Sequence, residues 1–227
     1  MLPTPSKKSH PNHKIDKFLS HINRMSMMAW DMGSHASCDE KTIGFQGHCQ
    51  DKMRIKYKKE GDGFQAECIC ENGYTYSFYS CNLPAPKKYL QCKCSPIHAR
   101  VLFLFDQLPC KNVVVGLDNL YVSKQFCREA LIGKSHVMVH GVCRKEGHDI
   151  PSCVLQKEVK KAEQAAMRGQ TKAAVLEGDP PDLVAFSVYD TKPAQFLSTA
   201  CTSLAWKEKT KRVYDKDSGV TVALKFL

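Results

Sequence analysis

The run Val113-Val114-Val115-Gly116-Leu117 constrains the fold more than any other segment. β-Branched side chains fit a pleated, buried surface better than a helix, so the run reads as a short central strand, and it ends directly on Asp118. Helical patterns lie on both sides of it. Ser95-Pro96 is expected to open a helix running to about Leu108, with Ser95 accepting amide hydrogen bonds and Pro96 at the first position. Val101 to Phe105 make that helix apolar over most of its surface, which calls for burial against a sheet. Ser123 begins a second helix through Leu131, and His136 to Val142 returns as a strand.

Upstream the pattern is antiparallel. Ala36 to Phe45 reads as a strand with Asp39 on it or at its edge, after a helix in which Ile15, Phe18, Leu19, Ile22 and Met25 recur at helical spacing. Met53 to Lys58 alternates with period two, Gly61-Asp62-Gly63 turns the chain, and Phe64 to Cys70 forms the next strand. Glu71-Asn72-Gly73 is a hairpin signal leading into Tyr74 to Tyr79. Tyr74, Tyr76 and Phe78 are expected on one core-facing side. Three antiparallel strands followed by helix, strand, helix and strand make a mixed α/β sheet with flanking helices. Gln156 to Met167, rich in Lys, Glu and Ala, is expected as an exposed helix. Strands are expected at Thr171 to Glu177, Leu183 to Tyr189 and Gln195 to Thr202. Trp206 to Tyr214 would extend the sheet before a last segment, Val220 to Leu227.

Thirty-three Lys and Arg against 23 Asp and Glu give a net charge of +10. This favours a polyanionic partner such as DNA or RNA, or an acidic membrane surface, although lysines also serve solubility. No segment reaches 18 uninterrupted apolar residues, so a membrane span is not expected. The polar start, Met1 to Lys8, lacks a secretion-signal core. The twelve cysteines are accordingly read as free thiols. Cys68 and Cys70 on one strand share a face and could meet Cys81 on the next, but a zinc site is the lesser reading beside isolated thiols.

Asp39 and Asp118 are the candidate catalytic and metal-binding residues. If their strands are neighbours, two carboxylates meet at a sheet edge, as two-metal phosphoryl transfer requires. On the residues alone, aspartates that merely end strands or cap loops are the commoner outcome. Lys52, Arg54, Lys56, Lys58 and Lys59 could line a DNA backbone path near Asp39. They equally suit the solvated face of an edge strand, where lysines discourage pairing.

The segments around the two aspartates carry a resemblance. Asp39-Glu40-Lys41-Thr42-Ile43-Gly44-Phe45-Gln46-Gly47 resembles the first-aspartate motif of piggyBac-type transposases. Gly116-Leu117-Asp118-Asn119-Leu120-Tyr121-Val122-Ser123 resembles the second. Val139 to Lys145, Thr171 to Leu176, Ser187 to Pro193 and Phe196 to Ala200 look like later strands of the same family, in the same order.

The resemblance implies a ribonuclease-H-like fold and a DDE-type catalytic domain over residues 13–227, with a loose tail at 1–12 and an insertion-like region at about 145–215. It implies that Asp39 and Asp118 bind Mg²⁺ or Mn²⁺, that DNA is the partner, and that the protein works in the nucleus; a homodimer is compatible with it. The third acid of the family has no match here, since Asp190, Asp215 and Asp217 do not fall at its position. The expectation is therefore a catalytic core incomplete at its C-terminus, inactive in transposition and retaining DNA binding. The alternatives are a non-enzymatic module for protein or nucleic-acid contacts, or a fragment of an active metal-dependent DNA transposase.

Overall fold

The computed structural model describes residues 16–49, 52–54, 61–90, 94–110, 112–133, 136–144, 149–176, 183–200, 209–214 and 221–226. In chain order the first elements are α1 (Asp16–Met28), β1 (His35–Gly44), β2 (Met53–Arg54), β3 (Asp62–Glu71), β4 (Tyr74–Ser80) and α2 (Lys87–Leu90). They are followed by α3 (Pro96–Phe105), β5 (Val114–Leu117), α4 (Lys124–Ile132) and β6 (Met138–Cys143). A 3₁₀ turn at Lys161–Glu163 leads into α5 (Gln164–Met167). Then come β7 (Thr171–Leu176), β8 (Leu183–Tyr189), β9 (Pro193–Ser198), β10 (Lys209–Tyr214) and β11 (Thr221–Phe226).

The valine run is central, as its composition requires. β5 pairs in parallel with both β1 and β6 inside a nine-stranded sheet of order β2-β3-β1-β5-β6-β9-β8-β7, with β4 also on β3. Three antiparallel strands followed by two parallel ones, each reached through a helix, is the ribonuclease-H-like arrangement. β9, β8 and β7 continue the sheet antiparallel beyond β6, so part of the insertion-like region belongs to the main sheet. β10 and β11 instead form a separate two-stranded ladder, not the extension expected for Trp206 to Tyr214.

Both helices around β5 start as their sequences dictate. The Ser95 hydroxyl accepts from the His98 amide with Pro96 in the first turn, and the Ser123 hydroxyl accepts from the Phe126 amide at 3.2 Å. Each such cap satisfies an amide that the helix itself leaves unbonded and contributes about 1 kcal/mol. Val101, Leu104, Phe105, Phe126 and Ala130 then join Cys38, Ile69, Val115, Leu117 and Val139 in one buried core. Burying one such large aliphatic or aromatic side chain stabilises by roughly 1.5–3 kcal/mol.

The Asn72-Gly73 turn has positive φ at both residues, 49° and 83°, which the tight hairpin requires. The pairing of β3 with β4 then shifts between Ile69 and Cys70, since Cys70 faces Thr75 but Ile69 faces Ser77. This bulge breaks the alternation expected of Tyr74, Tyr76 and Phe78. Tyr76 is buried, whereas Tyr74 stacks on Trp30 at 4.8 Å and Phe78 is half-buried. The Asn23 side-chain amide both donates to the Phe78 carbonyl (2.7 Å) and accepts from its amide (2.9 Å), which holds α1 along β4.

The expected helix at Gln156 to Met167 is reduced to the 3₁₀ turn and one turn of α5. Tertiary hydrogen bonds override its composition. The buried Gln156 amide donates to Ser187 Oγ at 2.9 Å and to the Gln170 carbonyl at 3.1 Å, and the Val159 amide donates to the Tyr189 hydroxyl. Those partners lie on or beside β8, so residues 156–159 run non-helical across it.

Candidate active site

The parallel ladder fixes where the two aspartates stand. Ala36, Ser37 and Cys38 of β1 pair with Val115, Gly116 and Leu117 of β5. The next step along both strands sets Asp39 beside Asp118, one strand spacing of about 4.8 Å away. Cys38 and Leu117 are buried in the core, so alternation turns both aspartates to the opposite, open face, where both are exposed. The two carboxylates are held alike. Oδ1 of Asp39 accepts from the Glu40 amide at 2.7 Å, and Oδ1 of Asp118 accepts from the Asn119 amide at 2.7 Å. Each bond fixes the carboxylate's direction through one of its two oxygens.

Beneath this face lies a buried polar cluster with no counterpart in the sequence expectations. Glu67, 1% exposed, accepts from the Tyr121 hydroxyl at 2.5 Å, from Arg100 Nη2 at 3.3 Å and from the Cys81 thiol at 3.4 Å. Tyr121 is itself fully buried, and its amide donates to the Asp118 carbonyl at 3.1 Å. His98 donates from Nε2 to the Tyr121 carbonyl at 2.9 Å and stacks on Phe126. The loop that begins at Asp118 is thus anchored to β3 and α3. Glu67 immediately precedes Cys68, the register partner of Asp39, so one strand supports both acids.

The electrostatics follow from this burial. Desolvation, reinforced by the neighbouring Glu67 carboxylate, pushes the Tyr121 phenol far up. The same two causes push the Cys81 thiol to about 12. Burial lowers the proton affinity of His98, which stays a neutral donor to the Tyr121 carbonyl. The alternation of Phe64, Ala66, Cys68 and Cys70 puts Glu67 on the strand's polar parity with Gln65, so nothing in the sequence signalled its burial.

Glycines let the backbones close up around Asp118. A Cβ on Gly141 of β6 would fall 2.3 Å from the Leu117 carbonyl oxygen and 2.7 Å from Val122 Cγ2. On the open face the His140 ring lies over Gly116, its Nε2 3.4 Å from where a Cβ would sit. Burial, and then His35, lower the proton affinity of His140.

Of the five basic residues only Lys52 and Arg54 are described, and these two stand away from the acids. Lys52 and Arg54 pair with Asp62 at 3.4 and 3.8 Å. That cluster lies where Met53 and Gly44 both flank Gly63, roughly five residues or about 17 Å along β1 from Asp39. Lys56, Lys58 and Lys59 lie outside the described residues, as do Asp215 and Asp217. Asp190 forms an ion pair with Arg168 at 3.7 Å. Cys68 and Cys70 do share a face, with sulfurs 3.7 Å apart, but Cys81 is bonded to Glu67 and does not join them.

Among the described residues, no group of three or more His, Cys, Asp or Glu converges to hold a metal ion. Asp39 and Asp118 nonetheless suit a hard divalent cation. They are adjacent, exposed oxygen donors with fixed carboxylate directions, the donor chemistry that Mg²⁺ and Mn²⁺ select.

Comparison with known proteins bears on this site. A family model described as Transposase IS4 matches residues 2–222. A solved cryo-EM structure of a piggyBac transposase synaptic complex with hairpin DNA superposes with a TM-score of 0.65 at 18% identity. The alignment covers 91% of this chain and 40% of that one, so the chain spans well under half the length of that transposase. A search of curated proteins gives no match. No described helix is long and apolar enough to cross a membrane.

Proposed function

Because the chain belongs to the Transposase IS4 family, we propose that it is a DNA-binding transposase core in which Asp39 and Asp118 hold a divalent cation, and that this chain alone does not complete transposition. The adjacency of the two carboxylates, one step past the last paired residues of β1 and β5, carries the reading. When bound there, Mg²⁺ or Mn²⁺ would supply charge stabilisation at a phosphate and activation of the attacking oxygen. The protein's part is to hold and orient. The Glu40 and Asn119 amides direct the carboxylates, and the Glu67–Tyr121 bond fixes the loop that carries the second one.

Two carboxylates supply few of the six ligands that Mg²⁺ takes. A loosely held cation misplaces a scissile phosphate, and small misplacements cost orders of magnitude in rate. The net charge of +10 supports polyanion binding that weakens steeply with salt. A nuclear location goes with that DNA-bound role, and the likeness to a DNA-bound transposase supports it. With only two acids together among the described residues, a non-enzymatic module on the same scaffold is the second reading.

The test is a nuclease and binding assay with Mn²⁺ on duplex DNA carrying transposon-end sequences. The expected result is retention of DNA at low salt, loss of binding as salt rises, and no strand cleavage. Cleavage that disappears in Asp39→Asn would overturn the claim of inactivity. No retention at any salt concentration would favour a protein-contact module.

A further inference from the structure

The register that sets Asp39 beside Asp118 continues across the sheet. Cys38, Leu117, Gly141, Leu197 and Ala185 are successive partners in one lateral row, and all are buried. One step along, on the opposite face, the row reads Asp39, Asp118, Val142, Phe196 and Phe186. Phe196 thus stands two strand spacings from Asp118, about 10 Å away. Its neighbours in β9, Gln195 and Leu197, are buried on the core side, which α3, α4 and residues 154–156 cover. Phe196 itself is half-buried on the face that carries the acids. Its ring lies parallel to that of Phe186, with centroids 4.8 Å apart and planes 9° apart. Phe186 therefore backs one face of the Phe196 ring, and the other face is turned toward β6 and the acids. On that side β6 presents the half-buried Val142, and both His140 and Arg144, just past the strand's end, are exposed.

We propose that the Phe196 ring is a stacking site for an unpaired DNA base, set over Val142 with the adjoining strand running toward Asp118. The proposal rests on the reading of Asp39 and Asp118 as a site for a cation-held phosphate, and it names the form of DNA that reaches them. In a duplex each base face is covered by the neighbouring pair, so only an unpaired base can present one to a ring standing on a sheet. A stacked strand advances about 3.4 Å per nucleotide, so the gap between Phe196 and Asp118 spans about three nucleotides. Arg144, two residues along from Val142, offers a guanidinium to a phosphate of that strand. The net charge of +10 favours the same polyanion. Stacking on an aromatic ring accepts every base, so the site selects single strands and not a base sequence.

The experiment measures binding of the full chain, with Mn²⁺ at low salt, to a single strand of about 12 nucleotides, to the same strand without bases and to a duplex of equal length. Phe196→Ala is expected to weaken binding of the single strand about tenfold and of the duplex less than about twofold. Phe196→Leu, which keeps the apolar bulk, is expected to lose most of the same affinity, and Phe196→Tyr, which keeps the ring, to retain it. The strand without bases should bind the wild-type chain and Phe196→Leu alike. Equal losses on single strand and duplex would overturn the proposal and leave the DNA-binding reading standing. So would a folded Phe196→Leu chain that binds the single strand as the wild type does. Binding of neither form of DNA would overturn both.

Discussion

Asp39, in the middle of β1, and Asp118, just past the end of β5, stand side by side because the residues before them, Cys38 and Leu117, are register partners in the sheet. The buried pair faces the core and the acidic pair faces out. A slip of one residue by either strand in that ladder would send that strand's acid into the core and its apolar neighbour into water. Core packing therefore fixes the geometry of the acidic pair, and the first consequences to test are those of the packing.

Glu67 is the most sensitive position in that support. Glu67→Ala leaves Arg100 and the Tyr121 hydroxyl without their buried acceptor. Breaking one side of a buried, charged cluster costs about 3–5 kcal/mol. Tyr121→Phe removes a single bond to a charged acceptor and is expected to cost about 1.5–3 kcal/mol. Equilibrium unfolding in urea measures both. Losses under about 0.5 kcal/mol, the ordinary range of surface substitutions, would show that the cluster is not an anchor.

Gly141→Ala is expected to destabilise the chain by about 1–3 kcal/mol, the usual cost of overpacking. Its new methyl meets the Leu117 carbonyl, which is main chain and cannot rotate aside. The displacement falls one residue before Asp118, so the variant should also broaden or shift the Asp118 and Asn119 amide resonances. An unchanged melting temperature with unchanged resonances would contradict the close approach of β5 and β6.

Stability should fall on mild acidification. His98 is neutral in the fold, and its proton affinity lies below the ordinary histidine value of 6.5. Between those two values the unfolded chain binds a proton that the folded chain does not. The contribution is fully present above about pH 6.5 and is lost as the pH falls toward the lower, folded value. His140 contributes with the same sign. Unfolding free energies measured from pH 7.5 to 5 should decline. The decline should be shallower in His98→Asn, and an identical slope in that variant would exclude His98 as a source.

Much of the fold was legible because local signals agreed with the tertiary outcome. The valine run, the Asn72-Gly73 turn and the Ser95 and Ser123 caps each specify an element from neighbouring residues alone. The misreadings share one cause, which is partners distant in sequence. Gln156 loses its helix to Ser187 and Gln170, and the bulge opposite Cys70 turns Tyr76 away from its neighbours. The acids were legible as candidates, and only the ladder between β1 and β5 sets them side by side. Glu67 was missed because its partners Arg100 and Tyr121 come from elements 33 and 54 residues further on.

The central claim, that Asp39 and Asp118 together form a hard-cation site, is tested most directly by titrating the folded chain with Mn²⁺. Paramagnetic broadening of the Glu40 and Asn119 amides reports occupancy. Both amides donate to the carboxylates in question, so both should broaden together at the same Mn²⁺ concentration. Asp39→Asn and Asp118→Asn should each abolish the effect at both amides while leaving the melting temperature within a few degrees. Broadening of one amide without the other, or broadening that survives both substitutions, would contradict the account.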